Sequence, residues 1–156
     1  MNKNFELKRK ISSRGLEMIS GSETLLISDG STNFHLAAAI SSSKIEGLTV
    51  FTNSIEMINE LSRNRAIDLQ ILGGTYNRQR HCLGGPLMER TLEDLMFDIV
   101  FLGTDGIDEQ GNCLVADPTE ARAGRIMIKR SRKTVLMADH TKVRSSGNTV
   151  YCCLDD

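Results

Sequence analysis

The stretch Thr24–Ile40, "TLLISDGSTNFHLAAAI", contains the turn that decides the fold. Four residues of strand character, Thr24 to Ile27, run into Ser28, Asp29 and Gly30, and the helical pattern "NFHLAAAI" follows almost at once. A strand that ends in Asp-Gly-Ser-Thr and feeds a helix leaves the first helical N–H groups unpaired beyond the strand end, where an anion can accept them. Gly30 permits close backbone approach there. Ser31, Thr32 and Asn33 add side-chain donors, which suit a phosphate better than an apolar ligand. The same residues also suit a plain helix cap by Ser31 or Thr32, and the stretch lacks the lysine of a P-loop. Taken alone it leaves both readings open.

Outward from this turn the theme repeats. Leu48–Phe51, Asp68–Leu72, Asp98–Leu102 and Thr134–Ala138 are short apolar runs with β-branched content, each followed by a polar or glycine-containing turn. "SIEMINELSRN" and "PTEARAGRIMIKRS" read as intervening helices, and "FELKRKISSRGLEMI" sets a loose apolar face before Gly21 breaks it. Strands alternating with helices predict an α/β, Rossmann-like, mostly parallel sheet with helices on both faces. Ligands of such sheets bind beyond the carboxyl ends of the strands, so the polar turns should converge on one crevice. The glycine-rich connection Gly73–Gly85 is long for this class and is expected to reach over that crevice.

The turns supply the candidate binding residues. Asp29, Gly30, Ser31 and Thr32 form the first; Thr52, Asn53 and Ser54 stand at a second strand-to-helix junction, where a cap by Asn53 or Ser54 is the competing reading. Gly73 and Gly74 open the long loop. In "GTDGID" a tight glycine turn separates Asp105 from Asp108, so both carboxylates can face one volume and bind sugar hydroxyls or serve as a base, or else close their own turn. Lys142 of "DHTK" is a charge partner for an anion or for those acids, and Glu120 begins a helix. Arg78 and Arg80 lie in the long glycine loop, where contact with an anion is one reading and a solvated loop charge the favoured one. His35, His81 and His140 lack ligand spacing, and no nucleophile with its base is evident, so neither a metal, a cofactor nor a catalytic residue is expected.

Composition narrows the class. The chain has 156 residues, 40% apolar and 25% charged, enough for one domain with a real core, and with no Trp that core rests on aliphatic side chains. Its 19 basic and 20 acidic residues give a net charge of -1, which argues against a nucleic-acid surface on this segment itself. No stretch suits a signal peptide or a membrane span, so a cytoplasmic location is expected. Cys82, Cys113, Cys152 and Cys153 show no paired framework and read as reduced structural thiols.

The motifs "DGSTN", "VFTNS", "ILGGTYN", "FDIVFLGTDGID", "TEARAGRIMI" and "VLMADHTK", in this order, resemble the C-terminal effector-sensing domain of DeoR-family bacterial transcription regulators. The resemblance covers nearly the whole chain from about Lys10. That domain is in turn similar to ribose-5-phosphate isomerase, whose Gly-Ser-Thr and Asp-Gly-x-Asp turns match Gly30–Thr32 and Asp105 with Asp108 here. The resemblance implies a single effector-binding domain over residues 1–156 that takes a phosphorylated sugar. It further implies contact with DNA only through an N-terminal helix-turn-helix domain not present in this chain, and assembly as a homo-oligomer. Two departures stand out: Gly124 occupies a position where the family commonly carries a lysine, and Asn33 replaces a further Thr. The chain also stops at "TVYCCLDD", where another strand is expected, so the sheet is expected to be unfinished. The rival reading is an aldose–ketose sugar-phosphate isomerase using Asp105 or Asp108 as base, against which Gly124 counts; a domain that only oligomerises is the third.

Overall fold

The structure, a computed structural model, describes residues 4–145 and 147–156; residues 1–3 and 146 of the expected 1–156 domain lie outside the described residues. In chain order the elements are α1 (Phe5–Glu17), β1 (Thr24–Ile27), α2 (Ser31–Ser41), β2 (Thr49–Thr52), α3 (Ile55–Leu61), β3 (Asp68–Ile71), β4 (Thr75–Asn77), β5 (Cys82–Gly84), α4 (Pro86–Glu93), β6 (Phe97–Leu102), β7 (Gly106–Ile107), β8 (Asn112–Val115), α5 (Pro118–Lys129), β9 (Ser131–Leu136) and β10 (Thr149–Cys153).

Five strands form the central sheet in the order β3-β2-β1-β6-β9. Every neighbouring pair in it is parallel. Side chains alternate across β1. Leu25 and Ile27 join Leu36 and Ile40 of α2 and Met57 and Leu61 of α3, with Ile11 and Leu16 of α1 packed against them. Leu26 faces the other way and joins Val100, Met88 and Leu92 of α4, and Met127 of α5. Helices therefore cover both faces, and β1, buried on both, reads as an unbroken apolar run for that reason. Each fully buried Leu or Ile there contributes roughly 1.5–3 kcal/mol relative to exposure. The register sets Ile27 opposite both Thr52 and Phe101, so β1, β2 and β6 end at one level. Chain order reverses between β1 and β6, the switch point at which a crevice opens in folds of this class.

Several expected features take a different form. The fifth strand of the sheet, β9, begins three residues earlier than the apolar run suggests; as an edge strand it tolerates the exposed Arg132, Lys133 and Thr134. The Gly73–Gly85 connection is an antiparallel hairpin of β4 and β5 rather than a loop. At Gly74 an added Cβ would lie 2.3 Å from the Gly84 carbonyl oxygen, so the two hairpin arms meet where only glycine fits. Helix α4 follows it, with Pro86 preset for a first helical turn. The last residues pair with β8 in a second, antiparallel sheet of order β10-β8-β7, with Cys152 opposite Cys113.

Candidate functional site

A cavity of about 500 Å³ opens at the carboxyl ends of β1, β2 and β6, between the β4–β5 hairpin and α5. Asp29 enters it from β1, Asn53 from β2, Gly103 from β6, and Asp117, Thr119 and Glu120 from the start of α5. Its electrostatic centre is Arg80, in the hairpin turn. Arg80 Nε donates to Asp29 Oδ2 at 2.8 Å, Nη2 lies 2.8 Å from Glu120 Oε1, and Nη1 lies 3.8 Å from Asp105 Oδ2. One cation thus draws together three carboxylates from three separate segments.

Local chemistry explains why Arg80 points there. The backbone N–H groups of Gln79 and Arg80 donate to Asn77 Oδ1 at 3.0 and 3.2 Å, an Asx turn that closes the hairpin. Asn53 anchors the hairpin to the sheet: its backbone carbonyl accepts from Leu83 N–H and its Nδ2 donates to the Leu83 carbonyl, both at 2.8 Å. Its Oδ1 accepts from the Asp29 N–H at 3.2 Å. Asn53 therefore joins the ends of β1 and β2 and the hairpin with one side chain.

The charges do not balance. Burial disfavours the guanidinium, but Asp29, Glu120 and Asp105 more than offset it, and Arg80 is held more firmly charged than a free arginine. Glu120 has the opposite fate although it touches the same cation. Burial pushes its carboxyl up to about 7, and Asp29, Asp105 and Asp117 add to this against the pull of Arg80. The two results agree once Arg80 is seen as shared: three carboxylates divide one positive charge, and the share reaching Glu120 is smaller than its own desolvation cost. Glu120 Oε2 is buried without a hydrogen-bond partner among the described residues. Cys82, also in the lining, has its thiol pushed up to about 12 by burial, with Asp29 adding to it, so it stands neutral.

The N-terminus of α2 lies directly beside Asp29 and is of opposite character. Gly30, at φ 135°, is the residue before the helix, and no side chain among the described residues caps it, so neither Ser31 nor Thr32 acts as the cap that the sequence allows. An added Cβ at Gly30 meets no atom within 4 Å. Lys8 of α1 donates from Nζ to Ser31 Oγ at 2.9 Å, and Ser12, one helical turn along, donates to the Thr32 carbonyl at 3.1 Å. A lysine, a hydroxyl and uncapped helical N–H groups therefore meet at one point. Asn33 is structural, because its Nδ2 donates to the carbonyls of Ser28 and Phe101 at 3.0 and 3.2 Å and so joins β1 to β6 at the switch point.

The candidate residues divide accordingly. Asp29, Asn53 and Glu120 line the cavity, and Asp105 joins them through Arg80. Gly30, Ser31 and Thr32 flank it. Thr52 is buried and donates to the Ile27 carbonyl, and Ser54 caps α3. Gly73 and Gly74 serve the hairpin, outside the lining. Asp108 closes its own turn, accepting from the N–H groups of Gln110 and Asn112 and from Asn112 Nδ2. Lys142 sits in the 3-10 turn His140–Lys142, away from the lining. Sequence reading favours a solvated charge for Arg80 and passes over Lys8. The length of the glycine-rich connection is the available signal for Arg80; Lys8 gives none, since only the docking of α1 on α2 brings it to Ser31.

Among the described residues no helix is long and apolar enough to cross a membrane, and no group of three or more His, Cys, Asp or Glu is placed to hold a metal ion. The family model described as the DeoR C terminal sensor domain matches residues 3–156. The chain is 28% identical over 153 residues to the HTH-type transcriptional regulator GlpR of Haloferax volcanii, covering 98% of this chain and 59% of that protein. It is 27% identical over 143 residues to the putative aga operon transcriptional repressor of Escherichia coli O157:H7, covering 92% of this chain and 52% of the repressor. It thus spans little more than half the length of these relatives. Among solved structures, ribose 5 phosphate isomerase A from Neisseria gonorrhoeae superposes with a TM-score of 0.65 at 18% identity, covering 93% of this chain and 56% of the isomerase. The chain belongs to the family of DeoR C-terminal sensor domains, built on an α/β fold shared with ribose-5-phosphate isomerase.

Proposed function

We propose that this chain is the part of a transcription regulator that senses a phosphorylated sugar, and that the ligand lies across the crevice with its phosphate at the start of α2. The observation that carries this is the separation of charge in the crevice. At one end three carboxylates crowd a single guanidinium, which repels a phosphate but accepts hydroxyl donors. Beside Asp29, on the flank of that cavity, Lys8 and Ser31 meet the uncapped N-terminus of α2, an eleven-residue helix whose first N–H groups and dipole favour an anion. In the bound state the N–H groups of Ser31 and Thr32, the Ser31 hydroxyl and Lys8 hold the phosphate. Asp29 and Glu120 accept from sugar hydroxyls, and Glu120 Oε2 gains the donor it lacks.

Sensing follows if the ligand binds one arrangement of the crevice better than another. Arg80 is the group whose partners must change, because hydroxyls that take Asp29 or Glu120 compete with it. The hairpin that carries it reports the change to the rest of a longer regulator. With a net charge of -1 this segment leaves DNA contact to another part of that protein.

The test is thermal unfolding of the chain with a panel of sugar phosphates, each paired with its free sugar. A ligand at a hundredfold excess over its Kd adds about 2.7 kcal/mol. Stabilisation by phosphorylated members only, lost in Lys8→Met with Ser31→Ala, is the expected result. Equal stabilisation by free sugars would overturn the phosphate assignment. Steady conversion of a bound sugar phosphate, followed by NMR and abolished in Glu120→Gln, would assign an isomerase in place of a sensor.

A further inference from the structure

Three of the four cysteines lie together on the small antiparallel sheet: Cys113 on β8, and Cys152 and Cys153 on β10. The register sets Cys152 opposite Cys113, and Cys153 opposite Asn112. Residues opposed in an antiparallel pair carry their side chains on one face, with Cα atoms about 4.5 or 5.5 Å apart, and a disulfide spans Cα separations of roughly 4.4–6.8 Å. The face that Cys113 and Cys152 share is the inner one. Cys113 is fully buried in the core cluster with Leu102, Val115 and Tyr151, and Cys152 packs against that cluster. Their thiols are hydrogen-bonded to one another. Cys153 takes the opposite face, and its Sγ donates to the Gln110 carbonyl at 3.9 Å.

The pair stands directly behind a wall of the cavity. Tyr151 sits where the register shifts between Val150 and Cys152; it lines the cavity and donates to the Gly103 carbonyl at its floor. Val115, two residues on from Cys113, lines the same wall. Access differs within the pair: Cys113 is sealed, whereas Cys152 is partly exposed and is the thiol a small oxidant meets.

We infer that Cys113 and Cys152 form a modification site that closes to a disulfide under a peroxide and so clamps β10 to β8 behind the Tyr151 wall. Cys152 sulfur, as the thiolate, attacks one peroxide oxygen; the O–O bond breaks, the leaving hydroxide takes up a proton as water, and Cys152 becomes a sulfenic acid. The Cys113 sulfur then attacks the Cys152 sulfur, the S–O bond breaks, and the displaced hydroxide departs as water with the Cys113 proton. The two sulfurs together lose two electrons, and the peroxide is reduced to two waters. Burial pushes the Cys152 thiol up to about 12, and Cys113 beside it adds to this. Little thiolate is present near neutral pH, so the bond closes under sustained peroxide and not at trace levels.

The test is to treat the folded 156-residue chain with hydrogen peroxide, block the remaining thiols, digest it without reductant and map the cysteine peptides by mass spectrometry. The expected product joins the Cys113 and Cys152 peptides within one chain, two hydrogens lighter than the reduced form. Its urea midpoint is expected to rise and to return on treatment with dithiothreitol. In Cys153→Ser the same bond should close; in Cys152→Ser no intrachain bond to Cys113 should form. The map of the unaltered chain decides the matter even where Cys152→Ser fails to fold. Recovery of Cys113 and Cys152 as free thiols while Cys153 or Cys82 is oxidised, or a bond from Cys113 to Cys153, would overturn the site. A Cys113–Cys152 bond that leaves the urea midpoint unmoved or lowers it would overturn the clamp.

Discussion

Glu120→Gln should make the chain's stability less sensitive to pH, and the size of the effect follows from the cavity. Glu120 holds its proton up to about pH 7 in the folded chain against an ordinary value of 4.5, chiefly because it is buried. Between those values the folded state binds more protons than the unfolded one, so stability falls as pH rises through the window. The displacement corresponds to ~3 kcal/mol, at 1.36 kcal/mol per unit, an upper figure because a quarter of the side chain is exposed. Glutamine keeps the shape and resembles the protonated acid, so it carries none of this dependence. Urea unfolding at pH 4.5, 5.5, 6.5 and 8 is the assay. The wild-type stability minus that of the variant should fall by about 2–3 kcal/mol across the series, which at a slope of roughly 2 kcal/mol per molar urea moves the relative midpoint by about 1 M. A difference that stays flat would refute the claim that Glu120 is strained when ionised. One that grows in favour of the wild type above pH 7 would show that the Arg80 ion pair outweighs burial.

Other consequences are as direct. Arg80→Met leaves Asp29, Asp105 and Glu120 facing one another and should cost roughly 2 kcal/mol or more at pH 8, with much of the loss recovered at pH 5, in the same urea assay. Gly124→Ala should destabilise by about 1–3 kcal/mol through contact with the Tyr151 ring, and combining it with Tyr151→Leu should cost clearly less than the two single changes added, as thermal unfolding of the four proteins would show. Tyr151→Phe removes the donor to the Gly103 carbonyl at the cavity floor and should cost about 1 kcal/mol. Phe101→Ala empties a fully buried site on β6, in the core cluster it shares with Ile27 and Leu36, and should cost about 3–5 kcal/mol.

The parallel sheet was legible because its evidence is local. Apolar runs of four to six residues ending in small polar turns identify β1, β2 and β6, and their common end follows from the fold class. The placement of Asp29, Asn53 and Glu120 in one crevice was legible for the same reason, each being at a strand end or a helix start. The misjudged groups depend on contacts distant in sequence. Arg80 lies 51 positions from Asp29 and reads as a solvated charge until the hairpin folds over the crevice. Lys8 lies 23 positions from Ser31, on a helix whose own pattern says nothing of where it docks. For Asp108 the motif left a ligand contact and a self-closed turn both open, and in the fold Gln110 and Asn112 close the turn. Gly124 looked like a lost lysine in sequence and is, in the fold, the room that Tyr151 requires.

The central claim, that a phosphate is held at the start of α2 while the sugar meets the acids around Arg80, is tested most directly by amide NMR. A sugar phosphate found in the thermal screen would be titrated beside its unphosphorylated form, following the N–H signals of Ser31 and Thr32 and the Arg80 side chain. The account predicts that the phosphorylated ligand moves both sets together, and that Ser31→Ala with Lys8→Met suppresses the response of both. Shifts at Arg80 with Ser31 and Thr32 unmoved would place the anion elsewhere and contradict it.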